Sequence, residues 1–220
     1  MKPTLDREAL ARLVAGDIPH GSYVNLGIGQ PTQISDFLSP ELQITLHTEN
    51  GMLGMGPAAT AEEIDPDLIN AGKVAVTELP GAAYFHQADS FAIMRGGHLD
   101  IAVMGALQVS AGGDLANWHT GEPDAIPAVG GAMDLAVGAR QTWVMMTLFT
   151  RSGKPKIVPQ CSYPLTGEYC VTRVYSDHAV LLINDGVVTV RELFGISHAE
   201  LESRLHGVRL SPAARHGRNA

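Results

Sequence analysis

Short apolar runs alternate with short helical patterns along the chain as far as about Leu148. The run Ile101–Met104 is wholly apolar, which is typical of a strand that is covered on both faces of its sheet. Strands that alternate with helices in this way predict a mostly parallel sheet with helices packed against its faces. The sequence therefore predicts an open α/β fold.

The last third of the chain predicts an antiparallel addition to this sheet. The apolar runs 180–183 and 187–190 flank the sequence Asn-Asp-Gly, which favours a tight hairpin turn. Ser197 and Glu200 have the spacing of a capping box, which predicts the start of a last helix. We therefore expect an antiparallel hairpin and one more helix at the C-terminal side of the fold.

Length and composition fit a single domain. The chain has 220 residues and a hydrophobic content of 45%, which is enough for one sizeable core. No repeat or low-complexity linker divides it, so we expect one domain over residues 1–207 and a flexible tail over residues 208–220. The net charge of −8 argues against a nucleic acid or an anionic membrane surface as a partner.

Several sequence features bear on location and on metal binding. The N-terminus lacks the apolar segment of a signal peptide, and no apolar run approaches membrane-spanning length, so we expect a cytoplasmic protein. Cys161 and Cys170 lack the spacing of zinc ligands and are expected to be reduced packing residues. The nine histidines are scattered without a helical ligand pair, so we expect no metal site.

The stretch 47–57, His-Thr-Glu-Asn-Gly-Met-Leu-Gly-Met-Gly-Pro, is the strongest candidate for a functional site. The apolar run 44–46 before it predicts a buried strand that ends in a tight, glycine-rich loop. Ligands of open α/β sheets bind beyond the carboxyl ends of the strands, where Glu49 could act as a nucleophile. Glycines there would let a substrate approach the backbone. On the residues alone, a helix cap or a surface charge is the more common role for such a glutamate.

Two further glycine-rich turns are candidates for ligand contacts. The predicted strand Tyr23–Leu26 runs into Gly27 and Gly29, but the third glycine of a dinucleotide-binding fingerprint is missing. Gly130 and Gly131 precede a helical pattern, and free amides at the start of a helix can bind an anion. Close packing of that helix explains the same two glycines equally well.

Residues 48–54, Thr-Glu-Asn-Gly-Met-Leu-Gly, resemble the Ser-Glu-Asn-Gly-Leu-Leu-Gly motif of the β subunits of family I CoA-transferases. Thr48 keeps the hydroxyl of the usual serine, whereas Thr-Leu-Phe at 147–149 departs from the acidic residue and histidine of many relatives. The resemblance extends almost from end to end through further blocks at 25–29, 94–100, 113–118, 129–135 and 161–167.

This resemblance implies a fold shared with sugar-phosphate-isomerase-like domains, with CoA as a substrate and no permanently bound cofactor. In the family, the glutamate of the motif carries CoA as a covalent thioester, which gives that role to Glu49. The family's matching glycine suggests Gly130 and Gly131 as donors to the oxyanion. Residues expected to contact CoA or the substrate are Asn50, Gly51, Gly27 and Gly29. Candidates for the pocket lining, for which core or interface roles are at least as common, are His86, His119 and Gln108.

The resemblance also implies a partner. In the family, an α subunit of similar fold completes the enzyme, as a heterodimer or as a heterotetramer of two α and two β subunits. The active site then lies between subunits, which would explain why this chain lacks a local basic site for the phosphates of CoA.

The branch that this chain most resembles transfers CoA from succinyl-CoA to 3-oxoadipate in the degradation of aromatic compounds. Another 3-oxoacid, such as acetoacetate, is the nearest alternative acceptor. A non-catalytic sugar-phosphate sensor and a sugar-phosphate isomerase are more distant alternatives, because the chain has neither a DNA-binding segment nor a cluster of Lys and Arg for a phosphate.

Overall fold

The computed structural model describes residues 2–122 and 129–212 of the chain. The helices of these segments are α1 (Arg7–Asp17), α2 (Gln87–Arg95), α3 (Ala132–Gly138) and α4 (His198–Arg204), with 3-10 turns at Gln30–Phe37 and Pro40–Leu42. The strands are β1 (Tyr23–Leu26), β2 (Thr45–Thr48), β3 (Met52–Ala58), β4 (Val76–Tyr84), β5 (Ile101–Met104), β6 (Gln108–Ser110), β7 (Leu115–Ala116), β8 (Gln141–Met146), β9 (Ile157–Val158), β10 (Val171–Ser176), β11 (Ala179–Asn184), β12 (Val187–Leu193) and β13 (Leu210–Pro212).

Ten strands form one sheet in the order β13-β12-β11-β10-β8-β5-β1-β2-β3-β4. Its central strands β10, β8, β5, β1 and β2 run parallel to one another. Antiparallel pairs extend both sides, with β11 and β12 on one and β3 and β4 on the other. The predicted α/β fold with a mostly parallel sheet and an antiparallel C-terminal hairpin is confirmed. A smaller sheet has the order β7-β6-β9.

Apolar side chains cover both faces of the central strands. On one face, Ile101 belongs to a buried cluster that includes Leu10 of α1. On the other face, Met104 belongs to a second cluster that includes Leu135 of α3. All four residues of β5 are buried, as its uninterrupted apolar sequence predicted. The central strands therefore lie between two apolar clusters, one of which includes α1 and the other α3.

The glycine-rich stretch after β2 is a tight turn at residues 49–51 that continues directly into strand β3, where the sequence predicted only a loop. β3 pairs antiparallel with both β2 and β4. At the turn, Gly51 has a φ of +110°, and a Cβ there would lie 2.1 Å from the carbonyl oxygen of Phe85. Gly54 has a φ of +85°, and its Cβ would lie 3.0 Å from Ala82. These two glycines thus let β4 and the residues that follow it pack closely against the β2–β3 turn and β3. Short-range periodicity in the sequence does not reveal this contact.

The C-terminal residues 208–212, which the sequence placed in a flexible tail, belong to the fold. Val208 is buried, and β13 pairs parallel with β12. The prediction failed there because the pairing depends on a distant strand and not on local periodicity. The rest of the predicted tail, residues 213–220, lies outside the described residues. In the described segments, no helix is both long enough and apolar enough to cross a membrane.

Candidate active site

Glu49 follows β2 directly, at the carboxyl edge of the parallel strands. Gly27 follows the neighbouring strand β1, and Gly105 follows β5, which is the next strand along. Because these strands are parallel, the three residues lie at the same edge of the sheet, where ligands of such sheets bind. The side chain of Glu49 is half-buried in this position.

The carboxylate of Glu49 contacts the start of α3. The backbone N–H of Gly131 is near enough to this carboxylate to lower the pKa of Glu49. A Cβ at Gly131 would lie 2.7 Å from Oε2 of Glu49 and 2.8 Å from its Cδ. The φ of Gly131 is −87°, which other residues also adopt, so glycine is needed here because of Glu49 itself. Two of the predicted catalytic residues, far apart in the sequence, are therefore in contact.

Gly130, the third predicted catalytic residue, lies one position earlier. It has a left-handed backbone with a φ of +50°, and no other described atom lies within 4 Å of the place where its Cβ would be. Gly29 and Gly105 have similarly open α-carbons. The backbone is therefore uncovered at three turns of this part of the fold.

The charge of Glu49 lies in an unfavourable environment. Burial raises the pKa of Glu49, the nearby backbone N–H of Gly131 lowers it, and the negative charge of Asp134 raises it, so that the net shift is upward. Asp134 itself accepts a 2.6 Å hydrogen bond from Nε of Arg95. Within residues 2–122 and 129–212, no Lys or Arg side chain forms an ion pair with Glu49. Glu49 is thus a desolvated carboxylate beside a backbone N–H.

Thr48 closes the turn that presents Glu49. Its Oγ1 accepts a 3.1 Å hydrogen bond from the N–H of Met52, and its carbonyl oxygen accepts one of 3.2 Å from Gly51. The hydroxyl that Thr48 shares with the usual serine of the motif therefore has a structural use, because it fixes the first residues of β3.

A buried polar trio next to this turn was missed by the sequence analysis. His47 precedes Thr48 on β2, Asn25 lies opposite it on β1, and Ser90 lies on α2. All three are buried and hydrogen-bonded to one another or to the backbone of β2. One signal was available, since alternation along an extended chain would place residues 47 and 49 on the same side.

The remaining predicted contact residues have defined partners. The amide of Gly27 donates to the carbonyl oxygen of Val103 on β5 at 2.8 Å. Gly29 has a φ of +90° and begins a 3-10 turn, and Asn50 is exposed in the β2–β3 turn. Gly51 donates to Thr48 and accepts a 2.9 Å hydrogen bond from the N–H of Phe85, which gives it a structural role. Contacts of these four residues with CoA stay a prediction.

The three candidates for the pocket lining also have structural partners. His86 caps α2, with its Nδ1 accepting a hydrogen bond from Ala88. Gln108 accepts a 2.8 Å hydrogen bond from the N–H of Ser162, and Nδ1 of His119 accepts one of 2.9 Å from Gly121. Across the described residues, no cluster of three or more His, Cys, Asp or Glu side chains is arranged to hold a metal ion.

Comparison with known proteins gives consistent matches over nearly the whole chain. Residues 7–193 match the family described as Coenzyme A transferase. The chain is 54% identical over 210 residues to a 3-oxoadipate CoA-transferase subunit of Acinetobacter baylyi, which covers 95% of this chain and 96% of that protein. It is 57% identical over 207 residues to the protein of the same name from Pseudomonas putida, which covers 94% of this chain and 96% of that protein.

A solved structure, the acyl-CoA transferase apoenzyme from Escherichia coli, superposes with a TM-score of 0.70 at 16% identity. The superposition covers 96% of this chain and 43% of that longer chain. This likeness supports the prediction that the chain has the fold of the CoA-transferases.

The raised pKa of Glu49 predicts how stability depends on pH. At neutral pH the ionised carboxylate is desolvated in the folded state, and Glu49→Gln removes that unfavourable charge. We expect the variant to unfold at a higher temperature than the wild type at neutral pH. The difference in unfolding temperature should shrink as the pH falls through the raised pKa, because the wild-type carboxyl then becomes protonated in the folded state and loses its unfavourable charge.

Thermal unfolding across this pH range measures the difference. The control is Glu62→Gln, which removes an exposed carboxylate from a surface loop and should leave the unfolding temperature unchanged. A Glu49→Gln protein that is less stable than the wild type at neutral pH would contradict the conclusion that the charge of Glu49 is unfavourable in the folded state.

Proposed function

This chain belongs to the coenzyme A transferase family, and we propose that it transfers CoA from succinyl-CoA to a 3-oxoacid through a thioester on Glu49. The observation that carries this proposal is the contact between the half-buried Glu49 carboxylate and the amide of Gly131 at the carboxyl edge of the sheet. A carboxylate in that position can act as a nucleophile.

The proposed reaction has two matching halves. An oxygen of Glu49 attacks the thioester carbonyl of succinyl-CoA, and the C–S bond breaks to give a mixed anhydride and the CoA thiolate. The thiolate then attacks the Glu49 carbonyl, succinate leaves, and Glu49 holds CoA as a thioester. The carboxylate of the acceptor repeats these steps in reverse and regenerates the Glu49 carboxylate. Each bond that forms is of the same kind as one that breaks, so both halves are close to thermoneutral.

The charge environment of Glu49 suits this cycle. The carboxylate is negative at rest and neutral as an anhydride or a thioester. A Lys or Arg paired with it would lose its partner in each covalent state, and an unpaired buried charge costs about 3–5 kcal/mol. A backbone N–H can serve both the anion and the neutral acyl group, and Gly131 provides such a donor.

Gly131 is also well placed for the tetrahedral intermediates. Its amide lies beside the Glu49 carboxylate at rest, so it can donate to the same carboxyl group when the thiolate attacks the Glu49 carbonyl and an oxyanion develops. One such donor stabilises a transition state by about 3 kcal/mol. We assign Gly130 as a second donor, because its left-handed backbone and open α-carbon leave room for a substrate.

Binding of the rest of CoA supplies the remaining catalytic power. Interactions with its remote nucleotide and pantetheine can orient and strain the reacting thioester. We place the pantetheine arm over the open backbone of Gly29, with Gly27, Asn50 and Gly51 shaping the adjacent turns. We assign the binding of the CoA phosphates to the partner subunit.

The choice of acceptor and partner rests on the relatives. The two bacterial proteins named as 3-oxoadipate CoA-transferase subunits match this chain at 54% and 57% identity, which favours 3-oxoadipate over acetoacetate. Their designation as subunits supports an α subunit that completes the site, in a heterodimer or a heterotetramer. We place the enzyme in the cytoplasm, where free thiols such as Cys161 and Cys170 stay reduced.

Trapping the covalent intermediate tests the role of Glu49. The assembled enzyme is incubated with succinyl-CoA, treated with borohydride or hydroxylamine, and digested for peptide mass analysis. We expect the modification on Glu49. Glu49→Gln should pair with the α subunit but form no adduct and exchange no CoA, whereas Glu62→Gln should behave as the wild type. A label on another residue, or turnover by Glu49→Gln, rejects the nucleophile.

Gly131→Ala tests the contact between α3 and the nucleophile. The new methyl group would overlap the Glu49 carboxylate without straining the backbone. A displacement of about 1 Å can lower a rate about 100-fold, and we expect kcat to fall by that order. The matched control is Gly16→Ala in α1, where no described atom would meet the new Cβ and helix propensity should improve. Unchanged kcat in Gly131→Ala would show that Glu49 does not react in this position.

Competition between acceptors tests the substrate. The enzyme is given succinyl-CoA with 3-oxoadipate and acetoacetate together, and the two CoA products are quantified. We expect kcat/KM for 3-oxoadipate to exceed that for acetoacetate by at least about tenfold, because the second carboxylate offers a recognition group that acetoacetate lacks. A preference for acetoacetate would leave the transfer reaction intact and replace the acceptor.

A further inference from the structure

His47, Asn25 and Ser90 form a buried polar cluster beside the nucleophile. Their exposed fractions are 2%, 3% and 0%, respectively. Buried polar groups are costly unless they are paired, and apolar side chains could fill the same space. The three residues come from β2, β1 and α2, so the cluster joins two strands and a helix.

The hydrogen bonds assign the protons of this cluster. Nδ2 of Asn25 lies 3.1 Å from the backbone oxygen of His47, which can only accept, and this fixes the orientation of the amide. The same Nδ2 lies 3.1 Å from Nδ1 of His47 and donates its second proton there. The hydroxyl of Ser90 donates to the carbonyl oxygen of Thr48 at 2.9 Å, so it accepts from Nε2 of His47, also at 2.9 Å.

His47 is therefore a neutral imidazole with its proton on Nε2. Its burial lowers the pKa of His47 to about 4, in keeping with this state. The ring also stacks against Phe85, with a centroid separation of 6.4 Å. Phe85 in turn pairs through its backbone with Gly51 in the turn after Glu49. The imidazole is thus held on its edge by hydrogen bonds and on its face by an aromatic ring.

The cluster ends on the peptide group that carries Glu49. The carbonyl oxygen of Thr48 and the amide nitrogen of Glu49 belong to one planar unit, so fixing that oxygen fixes the plane. Ser90 and Gly51 both donate to it, at 2.9 Å and 3.2 Å. The chain of donors from Asn25 through His47 to Ser90 orients one of these two bonds.

We propose that His47, Asn25 and Ser90 are positioning residues that hold the Thr48–Glu49 peptide, and with it the Glu49 carboxyl group, in one orientation. The inference rests on the proposed function, in which Glu49 must meet several carbonyl groups and thiolates in turn. The charge and volume of the Glu49 side chain change in every half-reaction. The hydrogen bonds of a network without net charge do not depend on the charge of Glu49, and so the network can keep the peptide in place throughout the cycle.

Removal of the last link tests the proposal. We expect Ser90→Ala to lower kcat about tenfold while KM for succinyl-CoA changes less than twofold, because orientation and not binding is lost. The matched control is Ser176→Ala, which removes an equally buried hydroxyl of β10 that is hydrogen-bonded to the backbone of Ala179 on β11. That variant should lose stability and keep its kcat.

Substitution of the imidazole gives a graded test. His47→Gln keeps a donor that can reach Ser90, whereas His47→Phe keeps an aromatic ring and loses both the donor and the acceptor. We expect kcat of His47→Gln to exceed that of His47→Phe. Wild-type kcat in Ser90→Ala and His47→Phe, with only a lower unfolding temperature, would show a merely structural network and overturn the proposal.

Two further measurements complete the test. Nitrogen NMR of the labelled enzyme should show His47 with its proton on Nε2, and a charged ring or a proton on Nδ1 would overturn the inference. The amount of Glu49 thioester formed with succinyl-CoA separates the two levels of the argument. Slow formation in Ser90→Ala supports positioning, whereas a wild type that forms no thioester overturns the proposed function and this inference together.

Discussion

The close contact between Gly131 and the carboxylate of Glu49 is the interaction on which the site depends. Parallel strands bring the end of β2 to one edge of the sheet, and packing against the sheet brings the start of α3 to the same edge. The two elements can meet only if the residue before α3 has no side chain, since a Cβ would lie within 3 Å of the carboxylate. Chain topology and the absence of one methyl group thus create the site together.

The site lowers stability in return for reactivity. The desolvated carboxylate of Glu49 lies beside the negative charge of Asp134, and in the described segments no Lys or Arg is paired with Glu49. Its charge is therefore unfavourable for the folded protein. The same environment leaves the oxygen atoms more basic and suits a group that becomes neutral when it is acylated. Such local conflicts between stability and activity are typical of functional sites. The surrounding apolar clusters on both faces of the sheet supply the stability that the site lacks.

The sequence predicted features whose signals are local. The apolar run of β5, the Asn-Asp-Gly hairpin and the Ser197 cap, which accepts from the amide of Glu200, all follow from neighbouring residues. The hairpin at Gly51 and the pairing of β13 were not predicted, because they depend on strands distant in the sequence.

The site divides in the same way. Glu49 was predicted by resemblance to a known motif, since the residues alone made a cap or a surface charge more common. Its contact with Gly131 and the cluster around His47 join residues from separate elements, and only the fold brings them together. The most direct test of the account follows one oxygen atom. Enzyme that holds CoA on Glu49 is mixed, for a single turnover, with an acceptor acid carrying heavy oxygen in its reacting carboxylate. The account predicts that one heavy oxygen, the bridging atom of the anhydride, remains on Glu49; complete turnover with an unlabelled Glu49 would contradict it.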